Sequence, residues 1–160
     1  MIRPTVGYPF CMSHLIHKSH NVSVLLYHFI CPTKYRRAVI TDEVDKVLRE
    51  ACEGITERFE IEFIEIGADS DHVHFLVQSV PTMSPTQIIM KIKSITAIRI
   101  FKKLPWLKKE LWGSAFWSSG FFVSTVGRYA DENVIRNYVS SQGREPEFKS
   151  LFVRQLDMFS

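Results

Sequence analysis

Two short stretches of this chain carry side chains whose types and spacing could act together on a phosphodiester. His72 and His74 lie two residues apart, whereas Tyr138 and Gln142 lie four apart. Side chains two apart in a strand, or four apart in a helix, share one face of the element. Two neutral imidazoles and an amide oxygen can hold one divalent ion, which offsets the charge formed when a phenol attacks a phosphate. The four residues therefore predict phosphodiester transfer through Tyr138.

A transfer of this kind conserves the energy of the broken bond. A phenol with a pKa of about 10 is a weak nucleophile at neutral pH and needs such assistance. Its product, a phosphotyrosine ester, is similar in energy to a phosphodiester, so the strand can be rejoined without ATP. The pattern favours an enzyme that exchanges strands over a plain nuclease.

Each of these residues also has a simpler structural interpretation. His72 and His74 could be surface histidines of a half-buried strand, and Tyr138 could be an amphipathic core residue of its helix. Gln142 could be an ordinary surface residue. Tyr129 is a rival nucleophile, but it precedes the helix and has no partner like Gln142 four residues later.

The elements that must position these residues follow from the hydrophobic pattern. Val73, Phe75 and Val77 alternate with the histidines, which predicts a strand with one apolar face and a more polar face that carries the imidazoles. The turn residues 68–71 predict an antiparallel hairpin with the preceding strand, 60–67, where the alternation slips between Phe63 and Ile64 as at a bulge. Residues 21–31 are apolar on both faces and predict a central strand, with His28 as a structural residue near its end.

Helices are predicted from caps and from helical spacing. Thr41 should cap a helix that runs to about Arg58, and Ser84 a helix from Pro85 to about Lys103. A short helical turn at 106–111 and one or two strands within 113–126 should follow, and then a helix from Asp131 to Gln142. The order β, α, β, β, α, β, α predicts an α+β fold, an antiparallel sheet with helices on one face in a ferredoxin-like or RRM-like sandwich.

Length and composition predict one globular domain. We expect a loose lead-in over 1–20, a domain over 21–143, and a tail or peripheral helix over 144–160. No run of 18 apolar residues is present, so no membrane partner is expected. Cys11, Cys31 and Cys52 show no metal or disulfide spacing, which indicates thiols in a reducing compartment and a cytoplasmic location.

Charge is distributed unevenly along the chain, although the net charge is only +3. Residues 42–65 contain nine acidic and three basic side chains, whereas residues 91–112 contain seven basic and one acidic. One basic side of the domain would suit a polyanion, and a basic loop with an aromatic residue is typical of contacts with phosphates and bases. The predicted DNA-binding residues are Lys34, Tyr35, Arg36, Arg37, Lys91, Lys93 and Arg99.

Five blocks of the sequence, in order and spacing, resemble a known family. The chain is similar to the HUH single-tyrosine transposases of small bacterial and archaeal insertion sequences over about residues 20–143. The blocks are His20–Val22 (HNV), Pro32–Arg37 (PTKYRR), Asp71–Val77 (DHVHFLV), Trp117–Gly127 (WSSGFFVSTVG) and Ile135–Gln142 (IRNYVSSQ). Residues 1–19 and the stretch after Gly143 lie outside this resemblance.

The resemblance implies roles for individual residues. His72 and His74 would be the HUH metal ligands, Gln142 the third protein ligand, and Tyr138 the nucleophile that forms a 5′-phosphotyrosine link. The ion would be Mg²⁺ or Mn²⁺; imidazole favours softer metals than Mg²⁺, so Mn²⁺ is the better match for this ligand set.

The resemblance also implies partners. The substrate would be single-stranded DNA with a hairpin near each end of an insertion sequence. The protein would be a homodimer whose sheets join and whose active sites combine the histidines of one subunit with the tyrosine helix of the other. Two other functions stay open: a module that binds hairpins without cutting them, and a metal-dependent hydrolase or rolling-circle-type nickase that releases the cut strand.

Overall fold

A four-stranded antiparallel sheet organises the computed structural model, which describes residues 14–113 and 115–126. Its strands stand in the order β4-β5-β3-β6. A two-stranded hairpin, β1 and β2, precedes the sheet. The strands are β1 (Ile16–His17), β2 (Val22–Ser23), β3 (Leu25–Pro32), β4 (Glu62–Ala68), β5 (His72–Ser79) and β6 (Phe122–Val126).

The helices connect these strands in the predicted order. α1 (Asp42–Arg58) joins β3 to β4, while α2 (Pro85–Lys103) and the short α3 (Leu107–Glu110) join β5 to β6. The predicted α+β fold, an antiparallel sheet with helices packed on one face, is thereby confirmed. β3 is a central strand, as its apolar sequence predicted, and only its first residue is not fully buried.

Both long helices begin at the predicted caps. The hydroxyl of Thr41 accepts a hydrogen bond from the backbone N–H of Val44, and three acidic residues in the first turn face the positive end of the helix dipole. At α2, Ser84 and Gln87 form a reciprocal capping box, and Pro85 occupies the first helical position between them. These local hydrogen bonds explain why the helix starts could be read from sequence.

The main core lies between the helices and one face of the sheet. Phe29 of β3 and Phe75 of β5 meet Val44 of α1 and Ile92 of α2 there, all of them fully buried. A smaller cluster of Leu26, Ile64 and Leu76 lies on the opposite face of the sheet. The two clusters assign alternate residues of each strand to opposite faces.

Two irregular features affect how β5 is held. The pairing of β4 with β5 shifts register between Phe63 and Glu65, at the predicted slip in the alternation. At the same end of β5, the Gln78 side chain donates to the backbone carbonyl of His14 at 2.6 Å and accepts from its N–H at 3.2 Å. Residues 14–23, mostly within the expected lead-in, thus form the hairpin of β1 and β2, and His14 contacts the four-stranded sheet through Gln78.

The predicted helix from Asp131 to Gln142 and the predicted tail over 144–160 lie outside the described residues. Within residues 14–113 and 115–126, no helix is both long enough and apolar enough to cross a membrane.

The same substitution at two positions of α2 tests this layer assignment. Ile92 is fully buried in the core, whereas Ile98 is 68% exposed. Ile92→Ala should lower the free energy of unfolding by about 2–5 kcal/mol, because it removes buried methyl groups and leaves a cavity. Ile98→Ala should change it by less than about 0.5 kcal/mol, as expected at an exposed helical site. Urea denaturation of both variants measures the difference, and equal losses would contradict the assignment.

Candidate active site on the sheet face opposite the described helices

The alternation of β5 sets the direction of the two predicted metal ligands. Val73, Phe75 and Val77 are fully buried against the helices. His72 and His74 therefore lie on the other face, with Leu76 and its small apolar cluster. The apolar side chains on one face hold the imidazoles on the other.

The two imidazoles lie side by side and out of solvent. Their ring centroids are 5.1 Å apart and the ring planes are inclined by 73°. His72 is 4% exposed and His74 is 0% exposed. The alternative interpretation, in which His72 and His74 are surface histidines, does not agree with this burial.

Asp71 orients the ring of His72. A carboxylate oxygen of Asp71 lies 2.7 Å from Nδ1 of His72. The other carboxylate oxygen lies 3.8 Å from the guanidinium Nε of Arg36, in the loop after β3. A hydrogen bond at Nδ1 leaves Nε2 as the nitrogen that a metal would bind, which is the usual arrangement of a histidine ligand.

His28 holds His74 in a similar way. Nε2 of His28 lies 3.0 Å from Nδ1 of His74, and the two rings stack with an interplanar angle of 12°. In the pairing of β3 with β5, His28 is opposite Leu76, so it reaches His74 diagonally across the two strands. Nε2 is again the nitrogen that a metal would bind on His74.

Burial keeps His28 and His74 in the neutral form. Removal from water lowers the pKa of His28 from 6.5 to about 4. Burial also lowers the pKa of His74 well below its ordinary value, and the neighbouring imidazoles His28 and His72 add to this effect. A neutral imidazole has the lone pair that metal binding requires.

His72 and His74 offer two imidazole nitrogens, and this donor chemistry fits a divalent ion. Within residues 14–113 and 115–126, no group of three His, Cys, Asp or Glu side chains has the arrangement of a complete metal site. The predicted third ligand, Gln142, and the predicted nucleophile, Tyr138, lie outside the described residues. The roles of all four residues stay predictions.

The seven predicted DNA-binding residues fall into two separate groups. Lys34, Tyr35, Arg36 and Arg37 form a loop between β3 and α1, and Arg36 links this loop to Asp71 beside His72. The loop is held at its base, where the Thr33 hydroxyl donates to the carbonyls of Arg37 at 2.7 Å and Asp71 at 3.0 Å. This group lies beside the candidate site.

The other three residues lie on α2, in the layer on the opposite side of the sheet. The Lys93 ammonium donates to the carbonyls of Ser118, Ser119 and Gly120 at 2.6–3.2 Å, and burial lowers its pKa. The Lys91 ammonium lies 4.5 Å from the centre of the Phe59 ring. Arg99 lines a groove between α1 and α2 with Glu50, Glu53 and Glu57. These surroundings favour structural roles for the three residues, and their contact with DNA stays a prediction.

Sequence reasoning gave no site role to His28 or Asp71. Asp71 directly precedes His72, and an acidic residue next to a candidate ligand is a sequence signal for a partner that orients the ligand. His28 could be linked to His74 only by the register of β3 against β5, which the sequence does not state.

Comparisons with known proteins identify relatives of this chain. Residues 21–142 match the family described as Transposase IS200 like. The chain is 28% identical over 123 residues to the transposase for insertion sequence element IS200 of Salmonella typhimurium, with 74% of this chain and 77% of the relative covered. The same figures hold for the corresponding transposase of Salmonella typhi.

Two solved structures share the fold. A candidate transposase of Deinococcus radiodurans is 29% identical with a TM-score of 0.65, and the match covers 79% of this chain and 97% of that one. A REP-associated tyrosine transposase, solved with a REP hairpin, is 12% identical with a TM-score of 0.55 over 78% of this chain and 69% of that one. The second likeness concerns the fold alone.

Acid should destabilise the metal-free protein through its buried histidines. Unfolded His28 takes up a proton near pH 6.5, but folded His28 does so only near pH 4. The unfolded state therefore binds more protons in this range, and stability is lost as pH falls from 6.5 to 4, by up to about 3 kcal/mol from His28. Urea denaturation in EDTA at several pH values measures the loss. His28→Gln, the control, should lose less over the same range; an equal loss in both proteins would contradict the buried neutral state of His28.

Proposed function

Because this chain belongs to the family of IS200-like transposases, we propose that it cuts and rejoins single-stranded DNA through a covalent link to Tyr138. The observation that carries the proposal is the pair of buried imidazoles on the sheet face opposite α1 and α2. His72 and His74 are adjacent, and each has a partner at Nδ1. Such a fixed pair suits a divalent ion better than it suits a purely structural strand.

His72, His74 and Gln142 would hold Mg²⁺ or Mn²⁺. An ion bound there would supply positive charge beside the scissile phosphate and so offset the charge that develops in the transition state. Asp71 and His28 would keep the two imidazoles in orientation. Rigid second partners of this kind commonly set the affinity of a site for its metal.

Tyr138 would carry out the covalent step. Its phenol loses a proton and the oxygen attacks phosphorus, while the bond from phosphorus to the 3′ oxygen of the preceding nucleotide breaks. That oxygen takes up a proton and leaves as a 3′ hydroxyl, and the 5′ phosphate remains on Tyr138. Attack by another 3′ hydroxyl on the phosphotyrosine reverses the step, releases Tyr138 and joins the new strand.

The substrate class follows from the resemblance and is supported by charge. Lys34, Arg36 and Arg37 place basic side chains next to the candidate site, where they suit the phosphates of DNA. A structure of the same fold was solved with a REP hairpin. We propose that hairpin-containing single-stranded DNA at the ends of an insertion sequence is the substrate.

The homodimer is also part of the proposal. Each site would combine His72 and His74 of one subunit with Tyr138 and Gln142 of the other. β4 and β6 form the two edges of the described sheet, and an edge strand can extend a sheet into a second subunit.

A covalent adduct tests the role of Tyr138. The protein is incubated with Mn²⁺ and a labelled single-stranded hairpin oligonucleotide, then denatured and separated by electrophoresis. The intact chain should give a protein–DNA adduct and joined strands, whereas Tyr138→Phe should give neither and still bind the hairpin, because it loses only the attacking oxygen. Tyr129→Phe is the matched control and should behave like the intact chain. An adduct in Tyr138→Phe would refute the assignment. If the intact chain cuts strands but never joins them, it is a nickase. If it binds the hairpin without cutting it, it is a hairpin-binding module.

Metal binding tests the roles of the histidines without DNA. His74→Ala should weaken binding of Mn²⁺ in calorimetry at least about tenfold. Removing a residue that only hydrogen-bonds a metal ligand already lowers metal affinity by that much, and this variant removes the ligand itself. The control His17→Ala removes an exposed histidine of β1 and should leave the affinity unchanged. Equal affinities of the two variants would show that His74 is not a ligand.

A further inference from the structure

Two aromatic side chains are exposed together beside the loop that follows β3. Tyr35 is 64% exposed and Trp112 is 76% exposed. Their ring centroids lie 6.4 Å apart, and the ring planes are inclined by 52°. Trp112 is a residue to which the sequence patterns gave no role. Single exposed hydrophobic residues are common, but two aromatic rings that adjoin at the surface form a contiguous apolar area, which suits contact with another molecule.

Cations accompany both rings. The Lys34 ammonium lies 5.1 Å from the centre of the Tyr35 ring, and the Arg37 guanidinium lies 5.3 Å from that of the Trp112 ring. Each ring of the aromatic pair therefore has one cation against it.

The backbone that presents the two rings is fixed in an uncommon conformation. Tyr35 has φ 57°, and Trp112 has φ 54°. A bulky residue at positive φ is an outlier that costs about 1–3 kcal/mol, and such positions concentrate at binding sites. Trp112 follows the buried Leu107 and Leu111, which anchor the short helical segment before it. The two rings are thus presented from rigid supports.

The aromatic pair is also connected to the candidate active site. Arg36, next to Tyr35, lies 3.8 Å from the carboxylate of Asp71, and Asp71 contacts His72. A strand whose phosphate reaches the histidines would pass close to this loop.

We propose that Tyr35 and Trp112 form a platform on which an unpaired base of the single-stranded DNA stacks. The proposal rests on the proposed function and adds a base-binding subsite to it. Base stacking on aromatic side chains combined with cations for the backbone is the typical chemistry of single-strand binding. A protein partner that covered the two rings would have to remove the surrounding cations from water, which disfavours it.

Abasic DNA distinguishes stacking from phosphate contacts. The probe is a fluorescein-labelled hairpin oligonucleotide with a single-stranded extension, and its twin has abasic sites in place of the extension bases. The intact protein should bind the twin about 5- to 100-fold more weakly in fluorescence anisotropy, because the phosphates are retained and only stacking is lost. The variant Tyr35→Ala/Trp112→Ala should bind both probes with the lower affinity.

Matched variants complete the test. Trp112→Phe retains an aromatic face and should bind within a few-fold of the intact protein, while Trp106→Ala removes another exposed tryptophan and should leave binding unchanged. Circular dichroism checks that each variant is folded; if the double variant is not, Trp112→Leu, which retains an apolar side chain without an aromatic face, takes its place. Equal binding of both probes by the intact protein would overturn the platform, even where the covalent adduct with Tyr138 forms and the proposed function stands. A change in oligomeric state of the variants in gel filtration with unchanged DNA binding would also overturn it and assign the rings to a contact between copies.

Discussion

The period of two in β5 is the constraint on which the candidate site depends. Val73, Phe75 and Val77 are fully buried against the helices, so a shift of β5 by one residue would turn these apolar side chains away from the helices and place polar side chains in the main core. The position of His72 and His74 on the opposite face is therefore fixed by hydrophobic packing rather than by any interaction of the histidines themselves. The register shift in β4 and the contact between Gln78 and His14 both lie at the C-terminal end of β5, away from the two histidines.

The histidines are then oriented by polar partners that differ in kind. His72 is held by a carboxylate, which in turn lies near Arg36, whereas His74 is held by a second buried imidazole, His28. A carboxylate partner raises the basicity of a ligand, but an imidazole partner adds no negative charge. The two ligands of the proposed ion would thus differ electronically although they are neighbours on one strand. The link through Arg36 also joins His72 to the loop that carries Tyr35, so the proposed DNA contacts and the orientation of His72 would share one set of contacts.

Much of the fold could be predicted because it is encoded locally. The caps at Thr41 and Ser84, the turn before His72 and the slip after Phe63 each depend on residues close in sequence, and the structure confirms them. The pairing of His28 with His74 could not be predicted, because it depends on how two strands 46 residues apart align. The same limit applies to α2. Its lysines suggest a DNA surface by composition, but packing places the Lys93 ammonium on three backbone carbonyls and Arg99 among glutamates. The assignments of Tyr138 and Gln142 come from helical spacing and from the family resemblance, and they lie outside the described residues.

We propose that His72 and His74 bind one divalent ion through ring nitrogens whose orientation is set by Asp71 and His28. Pulsed electron paramagnetic resonance of the Mn²⁺-bound protein, with ¹⁵N introduced in histidine alone, detects nitrogen atoms bound to the ion. We expect couplings from two directly bound histidine nitrogens, one of which disappears in His72→Ala and the other in His74→Ala. Mn²⁺ surrounded by oxygen ligands only, with no histidine coupling in the intact protein, would contradict it.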